Sequence, residues 1–86
     1  MIFSSTLDQA HKQSMQNRKA LEQSEFCACF YCLESFSPTE ITEWTDSNDS
    51  TAMCPKCGID SVLGSAQGFK LDQEFLSKMN KKWFGD

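Results

Sequence analysis

Two segments decide the fold of this chain: Cys29-Phe30-Tyr31-Cys32 and Cys54-Pro55-Lys56-Cys57-Gly58. Each carries two cysteines three positions apart, and we call the segments hook 1 (residues 29–32) and hook 2 (residues 54–58). A tetrahedral zinc ion takes four soft donors about 2.3 Å from the metal, and each hook can supply two of them from one tight turn. The spacing therefore predicts one structural zinc ion, with the ligands Cys29, Cys32, Cys54 and Cys57.

The length of the chain makes such a metal site structurally useful. With 86 residues, the chain fits one small domain, below the size at which a hydrophobic core alone is comfortably sufficient. Structural zinc contributes roughly 10–16 kcal/mol of apparent binding free energy in small zinc domains. We therefore expect a single α+β, zinc-ribbon-like domain over residues 1–86. It would comprise an N-terminal helix (1–25), a zinc core of short antiparallel strands with a short inserted helix (26–64), and a C-terminal amphipathic helix (65–86).

The cysteine content bears on the cellular compartment. Apolar runs stay well below the roughly 20 residues of a membrane span, and residues 1–6 lack the charged start and long apolar stretch of a secretory signal. The five cysteines then favour a reducing cytoplasm and metal thiolates. The alternative is a secreted protein with two disulfides and one free thiol, which this pattern disfavours.

The charge distribution bears on the class of partner. The formal net charge is −4, and residues 22–60 contain eight acids and a single base, Lys56. Such a surface repels a phosphate backbone, which is bound by clustered lysine and arginine. Aromatic side chains could stack nucleic-acid bases, but basic residues cluster only at 78–82, and a small domain needs its aromatics for the core. The aromatics concerned are Phe30, Tyr31, Trp44, Phe69, Trp83 and Phe84.

Local signals predict a short helix between the hooks. Ser37 can cap a helix, Pro38 fits the first helical position, and Glu40 completes an S-x-x-E capping box. We expect this helix to run from Pro38 to about Trp44, with Ile41 and Trp44 facing the core.

Two longer helices are predicted to flank the zinc core. Residues 5–24 contain neither glycine nor proline and are rich in helix-forming residues, although their apolar stripe is thin. A second helix is predicted over residues 72–84, with Asp72 as its N-cap and a broad apolar stripe. That stripe consists of Phe75, Leu76, Met79, Trp83 and Phe84.

Shorter elements are expected beside the hooks. Runs of apolar residues predict strands at 26–31, 51–53 and 59–63. Polar and glycine-rich segments predict a turn at 46–50 and a flexible connector at 64–68.

The composition argues against catalysis. A closed four-cysteine shell leaves no coordination position for water, so such sites are structural rather than hydrolytic. One histidine and four glycines do not assemble a nucleophilic triad or a phosphate-binding loop. An iron site of rubredoxin type has the same ligands. Its usual pattern has glycine after both cysteine pairs, however, and Leu33 stands in that position after hook 1.

Two further residues with metal-binding chemistry are expected to pack in the core. Cys27 lies five positions from Cys32, which makes it a poor substitute for Cys29, and we expect a small buried side chain. His11 is the single histidine of the chain and has no second ligand pair beside it in the sequence. We therefore expect His11 to be a packing residue on a helix face.

Four groups of residues form a recognisable set: 27–32 (CACFYC), 40–44 (EITEW), 51–62 (TAMCPKCGIDSV) and the apolar positions of 75–84. From Arg18 onward, the chain resembles a family of small, uncharacterised bacterial cytoplasmic proteins that carry this set. The resemblance implies a cytoplasmic zinc-ribbon-like protein. It implies no activity, because the family has none assigned.

Together these features predict a non-enzymatic, zinc-binding protein that acts as an interaction or regulatory module in the cytoplasm. Its partner would be another protein or a second copy of the chain, bound through a terminal helix. Membrane binding is not expected. The alternatives are a nucleic-acid-associated transcriptional regulator of zinc-ribbon type and a rubredoxin-like iron electron carrier.

Overall fold

The computed structural model describes residues 4–85 and has the predicted α+β architecture. Its helices within that range are α1 (Ser4–Lys12), α2 (Arg18–Glu22) and α3 (Gln73–Phe84). Its strands there are β1 (Cys27–Cys29), β2 (Ser35–Phe36), β3 (Trp44–Thr45), β4 (Thr51–Ala52) and β5 (Val62–Gly64). One-turn 3-10 helices lie at Pro38–Glu40, Ser47–Asp49 and Ser65–Gln67.

An antiparallel sheet with the order β2-β1-β5 separates two clusters of buried side chains. Its central pairs are Ala28 with Leu63 and Cys29 with Val62. Successive side chains of a strand point to opposite faces, so the two pairs lie on opposite sides of the sheet. Ala28 and Leu63 belong to one cluster, and Cys29 and Val62 belong to the other. We call these clusters the helix core and the metal core.

The helix core lies between the sheet and the helices α1 and α3. Its largest fully buried side chains include Phe30 and Met79, and burying a side chain of that size contributes roughly 1.5–3 kcal/mol. The α3 helix has the predicted amphipathic pattern, and the Asp72 carboxylate caps it by accepting the Phe75 N–H at 2.9 Å. The members of the helix core are Leu7, Ala10, Ala28, Phe30, Leu63, Leu71, Phe75, Leu76 and Met79.

The metal core lies on the other face of the sheet, where α2 approaches β5 closely. A Cβ atom on Gly64 would lie 2.7 Å from Cδ2 of Leu21 and would overlap Ser24 Oγ. Gly64 pairs with Cys27 in β5, so the strand predicted over 59–63 begins only at Val62 and extends to Gly64. The members of the metal core are Leu21, Cys27, Cys29, Phe36, Ile41, Ala52, Cys54 and Val62.

The prediction of one helix over residues 5–24 is wrong, because the chain leaves the helical path between α1 and α2. Tertiary hydrogen bonds replace helical ones in this segment. The Gln16 N–H donates to Thr51 Oγ1 at 2.7 Å, and the Asn17 side-chain amide donates to the Val62 carbonyl at 2.9 Å. Gln16 takes a left-handed backbone conformation with φ of 52°. Residues 1–3 of the predicted N-terminal unit lie outside the described residues.

The capping box between the hooks is confirmed, but the helix that follows it is one turn long. The Ser37 N–H donates to Glu40 Oε2 at 2.8 Å, and Ser37 Oγ accepts the Thr39 N–H at 3.3 Å. The predicted continuation to Trp44 is wrong, because Trp44 pairs with Ala52 in the β3–β4 hairpin. The chain becomes extended at Ile41, and that side chain is buried in the metal core.

The segment 64–68 is an ordered one-turn helix and not a flexible connector. The Gln67 side chain accepts the Gly64 N–H at 2.9 Å and donates to the Gln13 carbonyl at 2.7 Å. Ser65 Oγ accepts the Glu25 N–H at 2.9 Å. The C-terminal helix follows at Gln73–Phe84 with Asp72 as its N-cap, which confirms the helix predicted over residues 72–84.

Candidate metal centre

The four cysteines of the two hooks meet at one point. Their Sγ atoms all lie within 4.8 Å of one another. The Cys29–Cys57 and Cys32–Cys54 sulfur pairs are both 3.7 Å apart. Four thiolates about 2.3 Å from a tetrahedral metal lie about 3.8 Å from each other. The arrangement that the spacing predicted is therefore present, and the donor set could hold a metal ion.

Hook 1 begins at the end of β1, where the backbone turns around the Cys29 sulfur. The turn is closed by the Leu33 N–H, which donates to the Cys29 carbonyl at 2.9 Å. The Tyr31 and Cys32 N–H groups point at Cys29 Sγ, at 3.3 and 3.5 Å. Such N–H groups stabilise a thiolate and orient it toward a metal.

Hook 2 repeats this turn. The Gly58 N–H donates to the Cys54 carbonyl at 2.9 Å, and the Lys56 N–H donates to Cys54 Sγ at 3.3 Å. Gly58 has φ of 82°, and Leu33 has φ of 65° at the matching position of hook 1. A side chain in this left-handed region costs roughly 1–2 kcal/mol. Leu33 offsets part of that cost because it packs against the helix core.

The two cysteines within each hook differ in exposure. Cys29 and Cys54, the first of each pair, are buried, whereas Cys32 and Cys57 are half-buried. At the rim, Lys56 Nζ lies 3.3 Å from Glu40 Oε1, and both side chains are more than two-fifths exposed. An ion pair this exposed contributes little stability. Because Cys32 and Cys57 are half-buried and not fully buried, solvent reaches the cluster on their side.

Hydrogen bonds favour the thiolate form of Cys29. Burial alone would raise the pKa of Cys29, but the Ser61 hydroxyl and the N–H groups of hook 1 bring it below its ordinary value. Ser61 Oγ lies 3.0 Å from Cys29 Sγ. Burial and the neighbouring Cys29 charge raise the pKa of Cys32 to about 11, and the same causes raise the pKa of Cys57. A bound cation would offset the repulsion among the sulfurs and so allow the coordinating thiols to be deprotonated.

Ser61 contacts the sulfur cluster at Cys29, a contact that the sequence does not predict. It is 2% exposed and follows hook 2 by three residues, yet it contacts a cysteine of hook 1. The contact arises because the Ser61 carbonyl accepts the Phe30 N–H at 3.0 Å beside the pairing of β1 with β5. That pairing is a long-range feature, and the spacing of the cysteines does not encode it.

Cys27 and His11 lie outside the four-sulfur cluster. Cys27 is fully buried in the metal core, as expected, and burial raises its pKa to about 11. His11 stacks on Trp83 with ring centroids 3.9 Å apart and is tilted toward Phe30 at 6.3 Å. The structure therefore places both residues in packing positions.

Comparison with known proteins gives no relative: no family model, curated protein or solved structure matches the chain. The resemblance to bacterial zinc-ribbon-like proteins therefore stays a prediction. Within residues 4–85, none of the helices is long and apolar enough to cross a membrane. The four-cysteine cluster is the feature on which a functional argument can rest.

Proposed function

We propose that this protein is a small non-catalytic module, held together by one zinc ion on the four hook cysteines, that acts by binding another protein. The observation that carries the proposal is the cluster of four sulfurs within 4.8 Å of one another, in which two sulfur pairs are 3.7 Å apart. Four thiolates fill a tetrahedral shell and leave no position for a reacting water. The metal would then act on folding rather than on a substrate.

Zinc is the proposed metal, and iron is the alternative that the donor set also accepts. Leu33 stands where rubredoxin-type sites usually have a glycine, but Leu33 adopts the left-handed conformation of that turn. The residues therefore do not separate the two metals. Elemental analysis of the purified protein does: we expect a colourless protein with one zinc per chain. A coloured protein with stoichiometric iron would favour the electron carrier.

Support for a protein partner comes from an exposed aromatic pair beside hook 1. Tyr31 and Phe84 are 45% and 43% exposed, and their rings meet edge to face at 4.8 Å. Aromatic side chains are enriched in protein interfaces. A nucleic-acid partner has less support, because four basic side chains form ion pairs with acids within residues 4–85. These pairs are Arg18–Glu22, Lys56–Glu40, Lys70–Asp72 and Lys82–Asp8.

A pull-down with a matched variant tests the partner. We expect tagged wild-type protein to recover a partner from cell extract and Tyr31→Ser to lose it. Met15→Ser is the control, because Met15 is equally exposed at 46% but lies in the segment between α1 and α2. Recovery of no protein, with salt-dependent binding of DNA or RNA in a shift assay, would favour the regulator instead. Native mass spectrometry of the same sample detects self-association.

A further inference from the structure

The cysteines form two contacts that run between the hooks, and each contact joins an accessible sulfur to a buried one. Half-buried Cys57 lies 3.7 Å from buried Cys29, and half-buried Cys32 lies 3.7 Å from buried Cys54. An oxidant would meet the accessible member first. The buried partner is then already placed to react with the oxidised sulfur.

We propose that a peroxide converts the cluster into two disulfides between the hooks, Cys29–Cys57 and Cys32–Cys54, so that oxidation releases the metal while the hooks stay joined. The proposal deepens the metal-binding function proposed above and rests on it. It assigns a redox response to the same four sulfurs and leaves Cys27 as a thiol, because Cys27 lies outside the cluster.

The chemistry balances with one hydrogen peroxide per disulfide. With a metal bound, the Cys57 sulfur would be a thiolate. This thiolate attacks a peroxide oxygen, so an S–O bond forms, the O–O bond breaks, and hydroxide leaves. The Cys29 thiolate then attacks the Cys57 sulfur, so the S–S bond forms and the S–O bond breaks with loss of a second hydroxide. The two sulfurs lose two electrons and the peroxide gains them. Cys32 and Cys54 react in the same way.

The geometry favours pairing between the hooks over pairing within them. A disulfide has sulfurs about 2.0 Å apart, so each 3.7 Å contact must shorten by about 1.7 Å. Both sulfur pairs in contact at 3.7 Å join the two hooks, and within hook 1 the Cys29 sulfur accepts the Tyr31 and Cys32 N–H groups. Ser61 Oγ contacts Cys29 from within the protein, so Cys29 serves as the buried resolving thiol.

The two routes to metal loss then have different structural results. Disulfides between the hooks join the same two segments that the metal joins, so hook 1 and hook 2 remain linked within the metal core. A chelator removes the metal and leaves the hooks untied. We therefore expect peroxide-treated protein to keep its far-UV circular dichroism spectrum, and chelator-treated reduced protein to lose most of it.

A disulfide map of the wild-type protein tests the proposal, because the sequence allows all four hook cysteines to be separated. Trypsin cleaves after Lys56, between Cys54 and Cys57, and chymotrypsin cleaves after Phe30 and Tyr31, between the cysteines of hook 1. After peroxide treatment and non-reducing digestion, we expect peptides that join Cys29 to Cys57 and Cys32 to Cys54. The thiol count under denaturing conditions should fall from five to one. Pairing within the hooks, or through Cys27, would overturn the proposal.

Two further measurements separate this proposal from the metal-binding function. Metal content is determined before oxidation, so a protein without bound metal refutes the function while the disulfide map still decides the pairing. In protein that does hold zinc, a chromogenic chelator should report release of one equivalent as the disulfides form. Cys27→Ala is the matched control: it should give the same map and leave no free thiol. A changed map in that variant would place Cys27 in the reaction and contradict the assignment.

Discussion

Replacing Gly58 or Gly68 with alanine tests whether metal binding and folding are one event. Both glycines are left-handed, with φ of 82° and 90°, and a Cβ atom at either position would meet nothing within 4 Å. The cost of each substitution is therefore conformational and amounts to about 1 kcal/mol. The two sites differ in place, because Gly58 closes hook 2 whereas Gly68 follows the 3-10 helix before α3.

The expected result is the same loss of apparent zinc affinity in both variants. If the metal-free chain is unfolded, the binding free energy includes the free energy of folding, and strain anywhere in the fold weakens binding. A cost of about 1 kcal/mol corresponds to a loss of about fivefold. Competition with a zinc chelator of known affinity measures it, with circular dichroism of the metal-free chain recorded in parallel.

The opposite pattern would refute this reasoning. A metal-free chain that is already folded makes zinc affinity a local property of the hooks. Gly58→Ala would then weaken binding, and Gly68→Ala would leave it unchanged while still lowering the stability of the metal-free fold. Equal affinity in both variants and the wild type would show that the left-handed turns carry no such cost.

Three more substitutions have outcomes that the structure specifies. Gly64→Ala should lower the free energy of unfolding, measured in urea, by about 1–3 kcal/mol, because the added Cβ meets Leu21 and Ser24. An unchanged midpoint would show that α2 moves away freely. Leu33→Gly should change stability by less than about 1 kcal/mol, because relief of the left-handed conformation offsets the lost packing. A large loss of thermal stability would contradict that balance. Burial raises the pKa of Cys27 from its ordinary 9.0 to about 11. Below pH 9 the thiol is neutral in both the folded and the unfolded chain. Between pH 9 and 11 only the unfolded chain ionises readily, so the free energy of unfolding falls as the pH rises through this window. Cys27→Ala should therefore reduce the loss of stability over this pH window, measured by urea unfolding, and an identical pH profile would refute the assigned shift.

The sequence predicted the parts of this fold that depend on short-range chemistry. Each hook sets its two cysteines on one local turn. The Ser37–Glu40 box and the Asp72 cap form because each needs residues three positions apart. These signals are contained in a few neighbouring residues, so they can be recognised without knowledge of the rest of the chain.

The parts that the sequence did not predict depend on distant partners. The helix expected over 5–24 breaks because Gln16 and Asn17 find hydrogen-bond partners on β4 and β5. The helix expected to reach Trp44 stops early because Trp44 pairs with Ala52, and the Arg18 guanidinium lies over its ring at 4.3 Å. Helix propensity is a weak preference of less than about 1 kcal/mol per residue, and such contacts override it.

Strand β1 links the metal site to the surface proposed for a partner. Cys29 contributes to the metal core, and the next residue, Phe30, packs in the helix core, where its ring lies 5.7 Å from that of Phe84. The Asn80 side-chain amide donates to the Tyr31 carbonyl at 2.9 Å, which ties hook 1 to α3. Tyr31 is itself a residue of hook 1. The backbone that orients its ring toward Phe84 is therefore the backbone that holds the sulfurs, and loss of the metal from reduced protein would release the aromatic pair together with the hook.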